Sequence, residues 1–489
     1  MTPYSLTQPA AAARLLRRVR GLALVAPLAA LAACDLDVVD PAVVPTDQIN
    51  SATALPGLRA GAIANFKSAY SGTGGNQEGI ILLAGMRADE WRNADTFEGR
   101  QQVDRGTIPI NNLENQSVFR LMQQARISAE LAASKYVEFQ GNARQLAEVS
   151  SLAGYVYVMF AENYCSGVPF SEFDPVTAEI TPGEAVTTAG TYARAVSRFD
   201  AALAATPNYA LATIGKARAL LDQGQYAQAA TLVAAVPTTF SYDVEHSENA
   251  AEQNNGVYFL NNINRRWSMA SGEGMNGIDF RPTRASGTTT VEAPDPRVPY
   301  ARTRFADGRP RNGLDAVTPM FQQFKYPSRN APIPLANGIE ARLIEAEAAL
   351  KAGNRATWLA KHNELRATRS LYRCPTVATP GYVCPDTGAL LAPLPATLLS
   401  APATEVEDVH FRERAFWLYS TAHRLGDMRR LVRPVAQGGY GRAYNTVYPT
   451  GPYPKGGAPY GTAASLPIPV DEKNNINFAD YEGCDVTVP

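Results

Sequence analysis

Two carboxylates about 5–10 Å apart suffice to hydrolyse a glycosidic bond, so acidic pairs are the first residues that could do chemistry. Asp89-Glu90-Trp91 places such a pair beside an aromatic ring. The stretch around it has no sustained period, and a solvated loop anchored by one aromatic is the plainer reading. Glu345 and Glu347 stand two apart in a helical register, so they point to different faces and suit ion pairs with Arg342 or Arg414. Arg424, Asp427 and Arg429 have the charges of an anion site but, within a helix, read first as ion-pair and capping residues. The four histidines (His246, His362, His410, His423) are scattered, and no Cys/His spacing fits zinc. Phosphate-loop, nucleophile-elbow and HExxH motifs are absent. No catalytic residue is assigned, and no metal or cofactor is called for.

Binding chemistry is better represented. Sugars offer apolar C–H faces to aromatic rings, and hydroxyls to polar groups at the ring edges. Tyr258, Phe259, Arg265, Arg266 and Trp267, interleaved with Asn261, Asn262 and Asn264, supply both kinds of contact. Trp91, with Asp89 beside it, is the expected partner across a shallow surface. The expected ligand-binding set is therefore Trp91, Asp89, Tyr258, Arg266 and Trp267. The alternative is that both tryptophans plug a core. Trp358 and Trp417, in helical stretches, are assigned to packing.

The elements that must hold these residues are mostly helical. Residues 47–70 read as a first helical segment and 71–112 as loop. Apolar residues recur at helical spacing over 114–138 (Val118, Met122, Ala125, Ala129) and 146–164 (Leu152, Tyr155, Val156, Met159). Further helices are predicted over 188–205, 209–222 and 226–236. Ala217, Gly224, Tyr226 and Ala229-Ala230 resemble the small-residue, turn-glycine, aromatic pattern of a tetratricopeptide hairpin. A second such hairpin covers 338–369 around Gly353, and a final helix is predicted over 405–431. Residues 238–336 lack a long period and are too long for a connector, which makes them an irregular, loop-rich subdomain. The expected fold is thus mostly all-α: helical repeats over 47–237 and 338–431, an irregular subdomain over 238–336, and a Tyr/Gly-rich tail over 437–489.

The N-terminus carries an export signal. Arg14, Arg17, Arg18 and Arg20 precede the apolar run 21–33, which is too short for the roughly 20 residues of a membrane span. Leu31-Ala32-Ala33-Cys34 resembles a bacterial lipobox, which makes 1–33 a signal peptide, Cys34 the lipidated residue and 34–46 a tether. Removing 33 residues with four arginines and no acid takes the formal charge from −1 to −5. An acidic chain without a basic tract is no nucleic-acid binder, and membrane attachment would rest on the acyl chains. Four further cysteines suit an oxidising compartment. Cys374 and Cys384 bracket a Pro-Gly turn and are candidates to pair, which leaves Cys165 and Cys484 to each other; free buried thiols are the alternative.

A family resemblance gathers these features. Glu340-Ala-Arg342-Leu-Ile-Glu345-Ala-Glu347-Ala, then Gly353-Asn354 and Asn363-Glu-Leu-Arg366, resemble a conserved helix pair of the SusD/RagB-like outer-membrane nutrient-binding lipoproteins. Upstream, Asp295-Pro-Arg297 and Lys325-Tyr326, and downstream, Glu413-Arg414, Arg424-Leu-Gly-Asp427-Met-Arg429-Arg430 and Leu466-Pro-Ile-Pro469, stand in that family's order. The resemblance implies four tetratricopeptide-like hairpins bearing an irregular subdomain. It also implies a lipid-anchored, cell-surface, non-enzymatic protein that captures an oligosaccharide or other nutrient for a TonB-dependent outer-membrane transporter. Two rival readings stay open: a secreted all-α glycan hydrolase and a tetratricopeptide-type peptide-binding adaptor.

Overall fold

A computed structural model describes residues 49–489 except 175–176, 178, 275, 287–288, 293–294, 373–390 and 479–483. Cys34, the signal segment and the Cys374–Cys384 pair lie outside the described residues. The long helices begin where the sequence offers a cap. Asn112 Oδ1 accepts from Asn115 N at the start of Leu113–Glu138, and Asn142 Oδ1 accepts from Arg144 N and Gln145 N ahead of Ala143–Asn163. Thr187, Asn337 and Asn354 cap Thr188–Ala205, Gly338–Lys351 and Arg355–Ala367 in the same way, each side chain satisfying a backbone N–H that the helix leaves unpaired. At Gly224 the chain turns with φ 76, left-handed backbone that glycine adopts without penalty, between Ala210–Asp222 and Tyr226–Val233.

The helix Ala143–Asn163 departs from the one-faced pattern. Every residue from Ala147 to Asn163 is buried, because Leu113–Glu138, Thr188–Ala205 and Ala210–Asp222 all pack on it. Two other expectations are corrected. The stretch 71–112 is not a plain loop: it contains the helices Ile80–Arg87 and Glu98–Arg105 and the strand Trp91–Asn93. All eight residues of Ile80–Arg87 are buried, so no amphipathic period marks it. The final helix is two helices, Ala403–Trp417 and Arg424–Val432. They are separated by a corner in which Ser420 and Ala422 take positive φ while Ser420 N donates to Glu90 Oε1.

Within 238–336 short antiparallel pairs stand beside helical turns of three to five residues. Ile333–Asn337 pairs with Ser241–Val244, Tyr300–Arg302 with Phe321–Gln323, and Trp267–Met269 with Trp91–Asn93. The Tyr-rich tail is folded into the body. Tyr440, Tyr448, Tyr453 and Tyr460 are buried; Tyr453 donates to Asp104 at 2.7 Å and Tyr460 to Glu273 at 3.1 Å. Cys165 and Cys484 form a disulfide, Cα to Cα 6.0 Å, that joins the tail to the end of Ala143–Asn163. No helix among the described residues is long and apolar enough to cross a membrane.

Ion pairs bind the helical layers together. Arg218 grips Glu162 through Nε and Nη2 at 2.6 Å each, Arg414 meets Asp427 at 2.9 Å, and Arg430 reaches Asp427, Asp222 and Glu347. Glu345 pairs with Arg342 at 2.8 Å and Glu347 lies 3.8 Å from Arg414, the structural roles expected for those acids.

Candidate functional site

Three of the five residues expected to bind ligand are walled in. Trp91 and Trp267 are both 0% exposed, so neither ring offers a face to a solute. They lie at neighbouring positions of one ladder, with Asn93 opposite Trp267, and Trp91 packs on Tyr419 at 5.7 Å. Asp89 is buried too; it accepts from Ile278 N at 2.9 Å and pairs with Arg424 at 3.2 Å, a structural clamp. Tyr258 ends the one-turn helix Gly256–Tyr258, half-buried and away from any cavity described below. Arg266 alone reaches an exposed aromatic, Phe97.

Glu90, next to Asp89, is buried as well and accepts from Ser420 N at 2.9 Å. Burial pushes its carboxyl up to about 8 from an ordinary 4.5, while the Ser420 N–H opposes that rise. A raised folded-state pKa means that the stability tied to this group is complete below 4.5 and is lost as pH climbs through about 8. Glu90→Gln keeps the acceptor for Ser420 and removes the charge. The variant should therefore melt with the parent at about pH 5 and above it at about pH 9; parallel pH profiles would refute the assignment.

The exposed recognition chemistry sits one step outward. Phe97, 51% exposed, has the Arg100 and Arg266 guanidinium carbons 4.9 and 5.2 Å from its ring centre. Both arginines are held by Asp95, at 2.7 and 2.6 Å. Phe305, 44% exposed, is bracketed by Arg309 and Arg311 at 5.5 and 5.2 Å. It stands at the tip of an arm that extends the Tyr300–Arg302 and Phe321–Gln323 pair, closed by Phe305 N donating to Arg309 O and Gly308 N to Phe305 O.

Backbone bonds dock this arm: Leu314 N donates to Arg265 O at 3.0 Å and Asp315 N to Ala94 O at 3.0 Å. A Cβ on Gly313 would come within 2.5 Å of the Ala94 Cβ, so the approach requires glycine there. Lys455, from the tail, locks the junction through Asp315 at 2.7 Å and the Asp95 carbonyl at 2.8 Å. Between arm and body lies an open cavity of about 400 Å³ lined by Arg265, Phe305, Arg311, Asn312 and Leu314, among others. Arg265 and Ala316 both have left-handed backbone there (φ 54 and 61). Such a conformation costs a non-glycine residue about 1–2 kcal/mol, a strain typical of functional sites.

Two other cavities are less suited to a sugar. The larger, about 770 Å³, lies on the helical scaffold, where Arg126 and Arg198 are both spent on Glu130 at 2.9 and 3.0 Å. The other, about 100 Å³, is lined by Arg297, already paired with Asp295 and Glu413, and by Lys325, which donates to the carbonyls of Trp417 and Tyr419. Of these three cavities, the one under the arm combines an exposed aromatic face with guanidiniums that no described carboxylate neutralises. No group of three His, Cys, Asp or Glu able to hold a metal occurs among the described residues.

Sequence reasoning missed Phe97 and Phe305 because isolated phenylalanines in polar stretches carry no period. Asp307-Gly308, a tight-turn dipeptide two residues past Phe305, was the available signal.

Comparison with known proteins settles the architecture. A tetratricopeptide-repeat model matches residues 187–240, which span the helices on either side of Gly224. No curated protein matches the chain. Among solved structures, a SusD/RagB family protein from Bacteroides thetaiotaomicron superposes with TM-score 0.58 at 14% identity, covering 87% of this chain and 96% of that one. The chain shares its fold with this SusD/RagB-type structure. A SusD-like carbohydrate-binding protein from Bacteroides fragilis gives TM-score 0.55 at 13% identity, covering 87% and 98%. A laminarin-binding SusD-like protein gives 0.53 at 15%, covering 88% and 98%. In this chain capped helices build the scaffold, and the exposed rings stand on irregular segments outside it.

Proposed function

We propose that this SusD-like chain is a surface lipoprotein that captures an oligosaccharide and passes it, chemically intact, to a TonB-dependent transporter in the outer membrane. The observation that carries the reading is the pair of exposed rings, Phe97 and Phe305, each flanked by two guanidiniums, in segments tied together by Asp315 N on Ala94 O and by Lys455. Rings fixed in this way can stack on sugar C–H faces while arginine N–H groups take the hydroxyls. The acids near the face are engaged in ion pairs: Asp95 with Arg100 and Arg266, Asp307 with Arg309, Asp315 with Lys455. That arrangement suits holding rather than cleaving. Supporting context comes from the laminarin-binding and carbohydrate-binding proteins that share the fold.

Phe97→Ala and Phe305→Ala should each weaken binding on a glycan array by about tenfold, since a lost stacking contact is worth about 1.5 kcal/mol. Their melting temperatures should stay close to the parent's, both rings being largely in water. Unchanged binding in both variants, or chemical turnover of a bound glycan, would overturn the proposal. The lipid anchor is tested separately. Cys34→Ala should move the protein from the membrane fraction to the soluble one and abolish co-purification with a large β-barrel partner in mild detergent. Continued membrane association would remove the lipoprotein part of the reading.

A further inference from the structure

We infer that the cavity under the arm is built for an acidic oligosaccharide, one whose residues carry carboxylate or sulfate groups. The inference rests on the glycan-binding proposal above and adds the ligand's charge. Its starting point is an account of charge at the site. Three acids around the face are already spent: Asp95 serves Arg100 and Arg266, Asp307 serves Arg309, and Asp315 serves Lys455. Arg265 and Arg311 remain. Both are half-buried, both line the cavity, and neither is paired with a carboxylate among the described residues. Arg265 Nε is buried without an acceptor among them.

Two guanidiniums that face one cavity repel each other, and burial together with the Arg311 charge lowers the Arg265 pKa from its ordinary value. An arrangement unfavourable in the empty protein becomes favourable once an anion enters between the two forks. Arginine suits that task because its planar donors match a carboxylate or a sulfate in bidentate fashion.

The backbone points the same way. At position 265 the chain has φ 54, where glycine would be easier, yet the sequence places there the longest cationic side chain. The chain as a whole has formal charge −1. A local excess of positive charge at the cavity is therefore not a by-product of a basic surface.

The left-handed backbone also supplies a clean variant. Arg265→Gly removes the cation while relieving the conformation, so its melting temperature should equal or exceed the parent's. Arg311→Gln removes the second cation without emptying the site. Isothermal titration of parent and variants would use three probes: an oligogalacturonate, a sulfated carrageenan oligosaccharide and a neutral galacto-oligosaccharide. The expected result is tight binding of at least one anionic probe, the arm that binds telling carboxylate from sulfate. That binding should weaken about tenfold or more in each variant, the loss of one charge-assisted hydrogen bond, and should fall as salt is raised. Neutral and anionic probes bound alike, with both variants unaffected, would overturn the acidic-ligand inference and leave glycan capture standing. Failure of all three probes to bind would overturn both.

Discussion

Trp267→Ala is expected to destabilise the protein by about 3–5 kcal/mol, the cost of emptying a large aromatic site in a packed core. The ring is 0% exposed, and its strand is fixed on both sides. Asn93 sits opposite it in the ladder, and the Trp267 carbonyl accepts from Asn261 Nδ2 at 2.6 Å. Trp91→Ala should cost a similar amount. Its Cδ1 lies only 2.6 Å from where a Cβ on Gly85 would stand, so the ring and the Ile80–Arg87 helix are in close contact and the site has little room to collapse. Equilibrium denaturation should show a lower midpoint with an unchanged slope, the signature of lost stability without a change in surface exposed. The same measurement on Phe97→Ala should move within about 0.5 kcal/mol of the parent, because that ring is already half in water. A Trp267→Ala protein that unfolds like the parent and loses glycan binding would return tryptophan to the ligand site.

The contrast between these tryptophans and the phenylalanines marks where the sequence stops being legible. Helices with a polar cap and a single apolar stripe were readable, and Leu113–Glu138 and Thr188–Ala205 lie within a residue of their expected bounds. So was the turn at Gly224, because only one residue type takes that backbone cheaply. Ile80–Arg87 was unreadable for the opposite reason: a helix buried on every side has no polar face to set its period. The corner at Ser420 was hidden because it depends on Glu90, distant in sequence, which no local pattern reports. At the site, composition alone could not tell a core ring from a surface ring. Trp91, Trp267 and Asp89 had the right types for a ligand and turned out to fix the ladder and clamp beneath the face. Arg266, in the same run of residues, does reach that face. What separates them is burial, which a non-periodic segment encodes only through its tertiary partners.

The larger structural dependence lies in Glu347, which the sequence placed correctly as an ion-pair residue but could not connect. It is 0% exposed and accepts from Tyr440 Oη at 2.8 Å; it also contacts Arg430, His410 at 3.3 Å and Arg414 at 3.8 Å. Burial alone would raise its carboxyl, but the cations of Arg430 and Arg414, with the hydrogen bond from His410, hold it well below the usual range. A depressed pKa places the stability it supplies above about pH 4.5, to be lost only in strong acid. Glu347→Ala leaves buried guanidiniums facing each other and is expected to cost about 3–5 kcal/mol. Glu347→Gln, which keeps the volume and an acceptor for Tyr440, should lose less. If Glu347 and Arg430 were an isolated pair, replacing both with apolar residues of similar size would recover most of the loss. Here Arg430 also serves Asp427 at 2.6 Å and Asp222 at 3.1 Å, so Glu347→Leu with Arg430→Met should recover little. Full recovery in that double variant would mean that the repeat helix Gly338–Lys351 is joined to Arg424–Val432 by one exchangeable contact rather than by a shared network.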